Sequence, residues 1–421
     1  MKSSPDSAAP FPPTNPAWLK LDLYCKGIRL TEGCLPQDTH GRPILRTRAG
    51  LGSGIELILP EELWTNVPVT EPFAKDSPYE LVRRREEFFV THNGNHCVDV
   101  RIPERPQWYD KTTRSGKRMD RVGTLQGTYL AIYPAAVCDY WRESPKANCR
   151  FCSVGLNLGH DDAEEKTVED VLEVVHAARA ESGITYVDFN TGHYVGETYL
   201  DILEPMITRI KRETDLLVGV QTPPHHDLSR YDRLQAMGAN RVSFCFELFD
   251  QATFERVCPG KNREYGLDRY LRAVEYCAGL SKKGTWKQPW LANGEIIAGL
   301  EPPEASIRAI DWMTSIGAVP TVCVFRPLQG TDMADEPPPK AEELAPVFQR
   351  LYEACMERNL PIGLAPNIHV SLVLLPDECR FLSSRPGSLA RKEKLRQWKA
   401  SAFAAQFYAR RKWRDRHTPP R

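Results

Sequence analysis

Apolar positions along the chain fall into two regimes. From residue 17 to about 126 they alternate with polar ones in short runs such as Ile55-Glu-Leu-Ile-Leu59 and Cys97-Val-Asp-Val-Arg-Ile102, broken by Gly and Pro. Period-two alternation between turn formers predicts a β-rich N-terminal lobe. From about 127 short β-type runs alternate with stretches of helical period. Strands are predicted at 129–133, 186–189, 216–221, 241–246, 291–298 and 319–325, with a further one at 362–372. Helices are predicted near 168–182, 199–213, 228–237, 267–283, 303–316 and 340–358. The first is the best signalled: Thr167 and Asp170 form a capping-box pattern, Val168, Leu172, Val175 and Ala178 share a face, and Gly183 stops it. Repeated strand–helix units imply an α/β fold with a parallel sheet, and six or seven units over 127–375 favour a full or partial (β/α) barrel. Its site would lie on the loops after the strands.

The ends differ from this frame. Residues 1–16 carry five prolines and are expected to be disordered. Residues 385–421 hold twelve Lys/Arg and two acids, with Leu395, Trp398, Ala402, Ala405 and Tyr408 at helical spacing. A basic C-terminal helical tail over 376–421 follows, packing through that face with its basic side solvated.

Composition narrows the class. Of 421 residues, 41% are apolar and 26% charged, enough to bury a core, and the 55 basic and 55 acidic residues cancel, so the total implies no polyanionic partner. No apolar run approaches the ~18 residues of a membrane helix, and the first residues lack a secretion signal's apolar core. A cytoplasmic protein with no membrane association is expected. Its twelve cysteines should then be reduced, so a cluster of them reads as metal-binding or reactive.

One such cluster exists: Cys138, Cys149 and Cys152, spaced C-x10-C-x2-C, in the polar loop after the first barrel strand. Three soft thiolates suit zinc or an iron–sulfur cluster. Zinc needs a fourth ligand, for which His160 is the local candidate; that reading makes the chain a zinc-binding structural or RNA-binding protein using the basic tail. A cluster held by three cysteines leaves one iron open for a substrate or cofactor, a catalytic arrangement.

In these residues the sequence resembles the radical S-adenosylmethionine (radical SAM) superfamily. Cys149-Arg-Phe-Cys152 matches the C-x-aromatic-C end of that family's cluster motif, with a longer gap before it, as in the elongator catalytic subunit. Thr191-Gly192-His193 stands where the family has Gly-Gly-Glu, so contact with the SAM amino group falls to backbone carbonyls or Thr191. Arg241–Asp250 is similar to the fourth-strand segment and puts Glu247 at the barrel mouth. Ile296–Glu301, with Ile297 and Gly299, looks like the fifth-strand segment against adenine, and Phe325–Thr331, with Arg326, like the sixth. A narrower likeness links Pro106–Lys117, Leu125-Gln-Gly127 and the cysteine loop to uncharacterised radical SAM proteins of nitrilase-containing gene clusters.

The resemblance implies a radical SAM enzyme with a 4Fe-4S cluster on Cys138, Cys149 and Cys152, and Phe151 shaping the adenine side. It would cleave SAM reductively to a 5′-deoxyadenosyl radical that abstracts hydrogen from a small-molecule substrate. An electron donor of flavodoxin or ferredoxin type is implied, and neither nucleic acid nor membrane. Gln221, His225, His226, Glu247, Glu301, Arg326, Asn367 and His369, near predicted strand ends, are the further candidates to contact SAM or substrate.

Overall fold

Six of the seven strands expected in the second half of the chain form, and they lie side by side in chain order in one curled sheet. They are β1 (Leu130–Ile132), β2 (Tyr186–Asn190), β3 (Leu217–Gln221), β4 (Arg241–Glu247), β5 (Leu291–Ala298) and β6 (Val319–Val324), every neighbouring pair parallel. A seventh, two-residue strand, Thr124–Leu125, runs antiparallel to β1 at the edge. The computed structural model describes residues 9–34, 46–48 and 52–417. Among them β6 and the Thr124–Leu125 strand are the two ends of the sheet, so the barrel is partial and open.

Each strand is followed by a helix: α1 (Val168–Glu181), α2 (Tyr199–Glu213), α3 (Ser229–Ala236), α4 (Gly266–Gly279), α5 (Pro303–Ser315) and α6 (Ala341–Glu357). The capping box of α1 is fully made, Thr167 Oγ1 accepting from the N–H of Asp170 at 3.1 Å and Asp170 Oδ2 from that of Thr167 at 3.1 Å. Asp170 also accepts from Thr113 (2.8 Å), Ser115 (2.5 Å) and Lys117 (2.8 Å), tying the 113–117 loop to the sheet's first helix. Burial opposes the charge of Asp170, and these donors outweigh it, holding the carboxyl well below the usual range. A depressed carboxylate stabilises the fold above its unfolded pKa and loses that contribution as pH falls through the folded one. Asp170→Asn should therefore cost about 2 kcal/mol at pH 7 by urea titration. The gap to wild type should narrow below pH ~4.

The run 362–372 is not a strand. Pro366 interrupts it and removes a ladder donor, Gly363 weakens it further, and it crosses the open side of the sheet as an irregular segment. Asn66 of the N-terminal lobe donates its N–H to Ser371 O at 2.7 Å. That lobe is β-rich as expected, with one sheet of Arg29–Leu30, Tyr79–Arg84, Glu87–His92 and Asn95–Val100 and another of Arg46–Arg48, Gly52–Leu59 and Leu63–Val67.

An unanticipated helix, Pro16–Lys26, opens the lobe and is buried from Ala17 to Cys25. Its start signals are Asn15, whose side chain accepts from Trp18 N–H, and Pro16 at the first turn. Of the leader expected to be disordered, residues 1–8 lie outside the described residues, but 9–16 are held. Phe11 packs on Trp18 at 5.9 Å between ring centres, and Asn15 Nδ2 donates to Phe381 O at 2.8 Å.

The basic tail is a helix, α7 (Pro386–His417), but not on the expected face. Leu395, Trp398 and Tyr408 are exposed, and Leu389, Phe403 and Phe407 are buried instead. Phe403 and Phe407 join Tyr129, Tyr186 and Leu217 across the N-terminal ends of the strands. Several basic residues hold the barrel: Arg411 donates to Ile184 O at 3.0 Å, Arg410 to Lys287 O at 2.8 Å, and Lys392 to Met356 O at 2.9 Å. No helix among the described residues is long and apolar enough to cross a membrane.

Candidate functional site

Alternate residues of the strands point into the curl of the sheet, where a cavity of about 630 Å³ runs along the strands. The three cysteines line its upper end, at the C-terminal ends of the strands. Their loop is stitched down: Arg150 N–H donates to Val257 O at 2.9 Å and Gly260 N–H to Ala147 O at 3.0 Å. Cys152 N–H donates to Cys149 O at 3.0 Å, the tight turn expected of a C-x2-C pair. Cys138 reaches the same place by packing against the turn after β2, where its Sγ accepts the His193 N–H at 3.3 Å. A Cβ at Gly192 would collide with Cys138 and with Tyr133 Oη, so only glycine admits that approach.

Electrostatics separates the three thiols. Cys149 is lowered by a hydrogen bond with Cys258 and by Lys261, against burial. Burial raises Cys138 to about 11 and pushes Cys152 up as well. Cys258, itself buried, is the neighbour that sequence spacing hid. It stands more than a hundred positions from Cys149 and is brought beside it by the chain leaving β4.

The donor set distinguishes the two metal readings. Four ligands on one zinc ion have donor atoms about 3.8 Å apart, from Zn–S bonds of ~2.3 Å. Among the described residues, the one set of three ligand atoms within 4.8 Å of one another is Glu197, His225 and His226. The thiols of Cys138, Cys149 and Cys152 are more widely set, and His160 is exposed and outside the cavity lining. Three thiols around a gap wider than one ion fit a cluster whose irons each take one thiolate. The zinc reading is not supported.

Below the cysteines the cavity wall is polar. Tyr186 donates its hydroxyl to Asp188, which also accepts from Gln221 Nε2 at 2.9 Å and pairs with Arg241 at 3.2 Å. Arg241 Nε reaches Asn293 Oδ1 at 3.0 Å. At the mouth, Glu247 sits at a bulge between β4 and β5 with φ of 67°. A left-handed backbone at a non-glycine residue is strain that functional sites retain. Glu247 receives Lys261 Nζ at 2.6 Å, and the same ammonium donates to Cys245 O at 2.6 Å. Burial opposes the Lys261 charge, and the Glu247 carboxylate overrides it, raising its pKa. His193 stacks on Tyr140 at 4.4 Å between ring centres and bonds Tyr265 Oη at 2.6 Å, with burial depressing its pKa.

Of the residues singled out from sequence, Cys138, Cys149, Cys152, Phe151, Thr191, Gly192, Gln221 and Glu247 line this cavity together. Arg326 does not reach it. It is fully buried beneath β6, its guanidinium 4.3 Å from the Tyr24 ring centre and donating to Asn66 O at 3.3 Å and Leu372 O at 3.0 Å. It joins the lobe to the barrel and is not free to pair a carboxylate. Ile297 is fully buried outside the lining, and Gly299, at φ +99°, packs under Pro339. Glu301 accepts the N–H groups of Phe249 and Asp250, each at 2.9 Å, and so holds a turn. Asn367 and His369 contact Thr128 through their backbones. His225 and His226 sit apart from the cavity beside Glu197, whose other oxygen is taken by Arg269.

The missed lumen residues Tyr186, Asp188, Arg241, Asn293 and Glu295 did have a signal, whereas Lys261, missed as well, had none. Tyr-Val-Asp-Phe-Asn190 and Asn293-Gly-Glu295 carry polar side chains at every second position of strands buried by helices. Such strands are normally apolar throughout.

Residues 146–301 match the family model described as the radical SAM superfamily. The bacteriochlorophyllide c C-7(1)-hydroxylase of Chlorobaculum limnaeum is 24% identical over 280 residues, covering 62% of this chain and 68% of that protein. Among solved structures, methylornithine synthase (PylB) aligns at TM-score 0.42 and 17% identity over 54% of this chain and 62% of its own. The FeFe-hydrogenase maturase HydG from Carboxydothermus hydrogenoformans aligns at 0.41 and 17% over 58% and 57%. This chain thus spans less than two thirds of either solved chain. Residues 146–301 are a radical SAM superfamily domain, and the protein is an enzyme whose cofactors are a 4Fe-4S cluster and S-adenosylmethionine.

Proposed function

We propose that Cys138, Cys149 and Cys152 hold the cluster and that the cavity beneath it binds SAM and a small-molecule substrate from which hydrogen is abstracted. The observation that carries this reading is the convergence of the three thiols at one end of a cavity of about 630 Å³, with the Asp188, Arg241 and Glu247 side chains beneath them. When bound, the cluster and SAM together supply one-electron cleavage of the sulfonium and a 5′-deoxyadenosyl radical.

The chain's own residues orient and enclose. Cys149, with the lowered thiol, gives up its proton most readily. Phe151, 3% exposed, forms an apolar wall beside the cysteines on the adenine side. Thr191 and Gly192 offer backbone and hydroxyl oxygens to the amino group, in place of a Gly-Gly-Glu motif. Glu247, fixed by Lys261, faces the mouth as a further polar contact. The 361–377 segment and α7 close the open side, excluding water and competing hydrogen donors.

A reducing cytoplasm, where ligand thiols stay reduced, is the proposed location. An electron donor of flavodoxin or ferredoxin type completes the system. The proposed organisation is a lobe over 17–126, a barrel over 127–375 and a tail over 376–421. The narrower likeness to proteins of nitrilase-containing clusters rests partly on 106–117, where Trp108 Nε1 bonds Ser182 and the Tyr109 hydroxyl accepts Leu125 N–H. Those contacts support a structural role for that motif. The hydroxylase relative's name assigns it a bacteriochlorophyllide, and nothing in this cavity selects that molecule.

Anaerobic reconstitution with iron and sulfide, followed by dithionite and SAM, should release 5′-deoxyadenosine even without substrate. Full cluster loading with no SAM cleavage would overturn the proposal.

A further inference from the structure

The charges in the cavity wall do not balance. Asp188 is neutralised by Arg241 at 3.2 Å, and Glu247 by Lys261 at 2.6 Å. Glu295, on the lumen face of β5 between those two pairs, has no cationic partner within 4.0 Å among the described residues. Its oxygens meet only the Ser243 hydroxyl and the Cys323 thiol, each at 3.4 Å. Arg241, the nearest cation in the wall, is already committed to Asp188, Tyr186 and Asn293. Glu295 is otherwise enclosed and opens onto the cavity, and burial raises its pKa. A carboxylate taken from water without a counter-charge is costly, so it either holds a proton or is paired, and a cation arriving beside it favours the charged form. The wall beyond it is aromatic and aliphatic, with Trp286, Trp290, Leu217, Tyr129 and Phe403.

We propose that Glu295 is the substrate-recognition carboxylate of this cavity and that the substrate is an organic cation, an apolar or aromatic body bearing one ammonium, amidinium or guanidinium group. An N–H fork or ammonium placed at Glu295 gains a charge-assisted hydrogen bond in a low-dielectric pocket, and its body lies against the apolar wall. On the proposed reading the SAM sulfonium would sit beside the cluster at the cysteine end of the cavity, which leaves Glu295 to the substrate. The inference rests on the radical SAM reading of the same cavity.

The test is calorimetric titration of the reconstituted, SAM-loaded protein with four probes of one size: benzylammonium, benzamidinium, benzyl alcohol and benzoate. The two cations should bind roughly tenfold or more tightly than the alcohol, and benzoate least of all. Glu295→Gln, matched in shape, should remove the preference for the cations. Should that protein not fold, Glu295→Asp, which keeps the charge and shortens its reach, should weaken cation binding while leaving the alcohol unchanged. Equal binding of cation and alcohol, preference for benzoate, binding of none of the four, or a preference surviving in Glu295→Gln overturns the inference. 5′-Deoxyadenosine release by the same preparation separates the two levels. A protein that cleaves SAM without cation preference refutes the inference alone, and one that does not cleave SAM refutes the reading beneath it.

Discussion

Alanine at Cys138, Cys149 or Cys152 should each strip iron from the reconstituted protein and lower SAM cleavage by about three orders of magnitude or more, since loss of the electron source removes the whole barrier reduction. Each iron needs a soft anionic donor, and alanine leaves that vertex to water or a stray thiol. The three positions should not behave alike in partial loading. Cys149 and Cys152 share one turn and approach neighbouring irons with little chain strain, whereas Cys138 is delivered by a ten-residue loop seated against Gly192 and the His193 N–H. Alanine at Cys97 or Cys379, in the N-terminal lobe and beside Glu378, should leave iron content at the wild-type level. Iron and acid-labile sulfide per chain are the measurements. A Cys138→Ala protein with a full cluster would break the assignment at the ligand farthest in sequence, and Cys258, which bonds Cys149, would be the replacement to examine.

Lys20→Met should destabilise the fold by roughly 3–5 kcal/mol, because it strands a buried carboxylate. Lys20 is fully buried in the helix Pro16–Lys26 and pairs with Glu378 at 2.7 Å, and its ammonium also donates to Val370 O at 3.0 Å. Glu378 in turn accepts Leu375 N–H at 2.9 Å. Val370 and Leu375 line the cavity, so this one pair ties the first helix of the chain to the wall that closes the site. The double variant Lys20→Met/Glu378→Met should regain most of the loss, since it removes both charges together. Urea midpoints of the two proteins decide it. A single variant costing under about 1 kcal/mol would show the pair to be solvated.

The barrel was legible because its strands and helices obey local rules. The capping box at Thr167 and Asp170 and the stop at Gly183 bound α1 closely. The cysteine loop was legible because three thiolates at that spacing have few uses. What failed depended on contacts between distant segments. Arg326 carries the charge a SAM carboxylate would want, and only the arrival of Tyr24, Asn66 and Leu372 consumes it. The run 362–372 is apolar enough for a strand, but it has Pro366 within it and an open cavity to cover. In α7 the helical period allowed two faces, and the barrel took Phe403 and Phe407 where Leu395, Trp398 and Tyr408 were expected. The role of Lys261 depends on the Glu247 bulge, which no local pattern specifies.

Three cysteines holding a cluster leave its remaining iron open to SAM. Electron paramagnetic resonance of the dithionite-reduced protein, recorded before and after adding SAM, tests it directly. The wild type should show a reduced 4Fe-4S signal that SAM addition shifts, and Cys149→Ala should show no signal. A fully loaded cluster whose spectrum SAM leaves unchanged would contradict it.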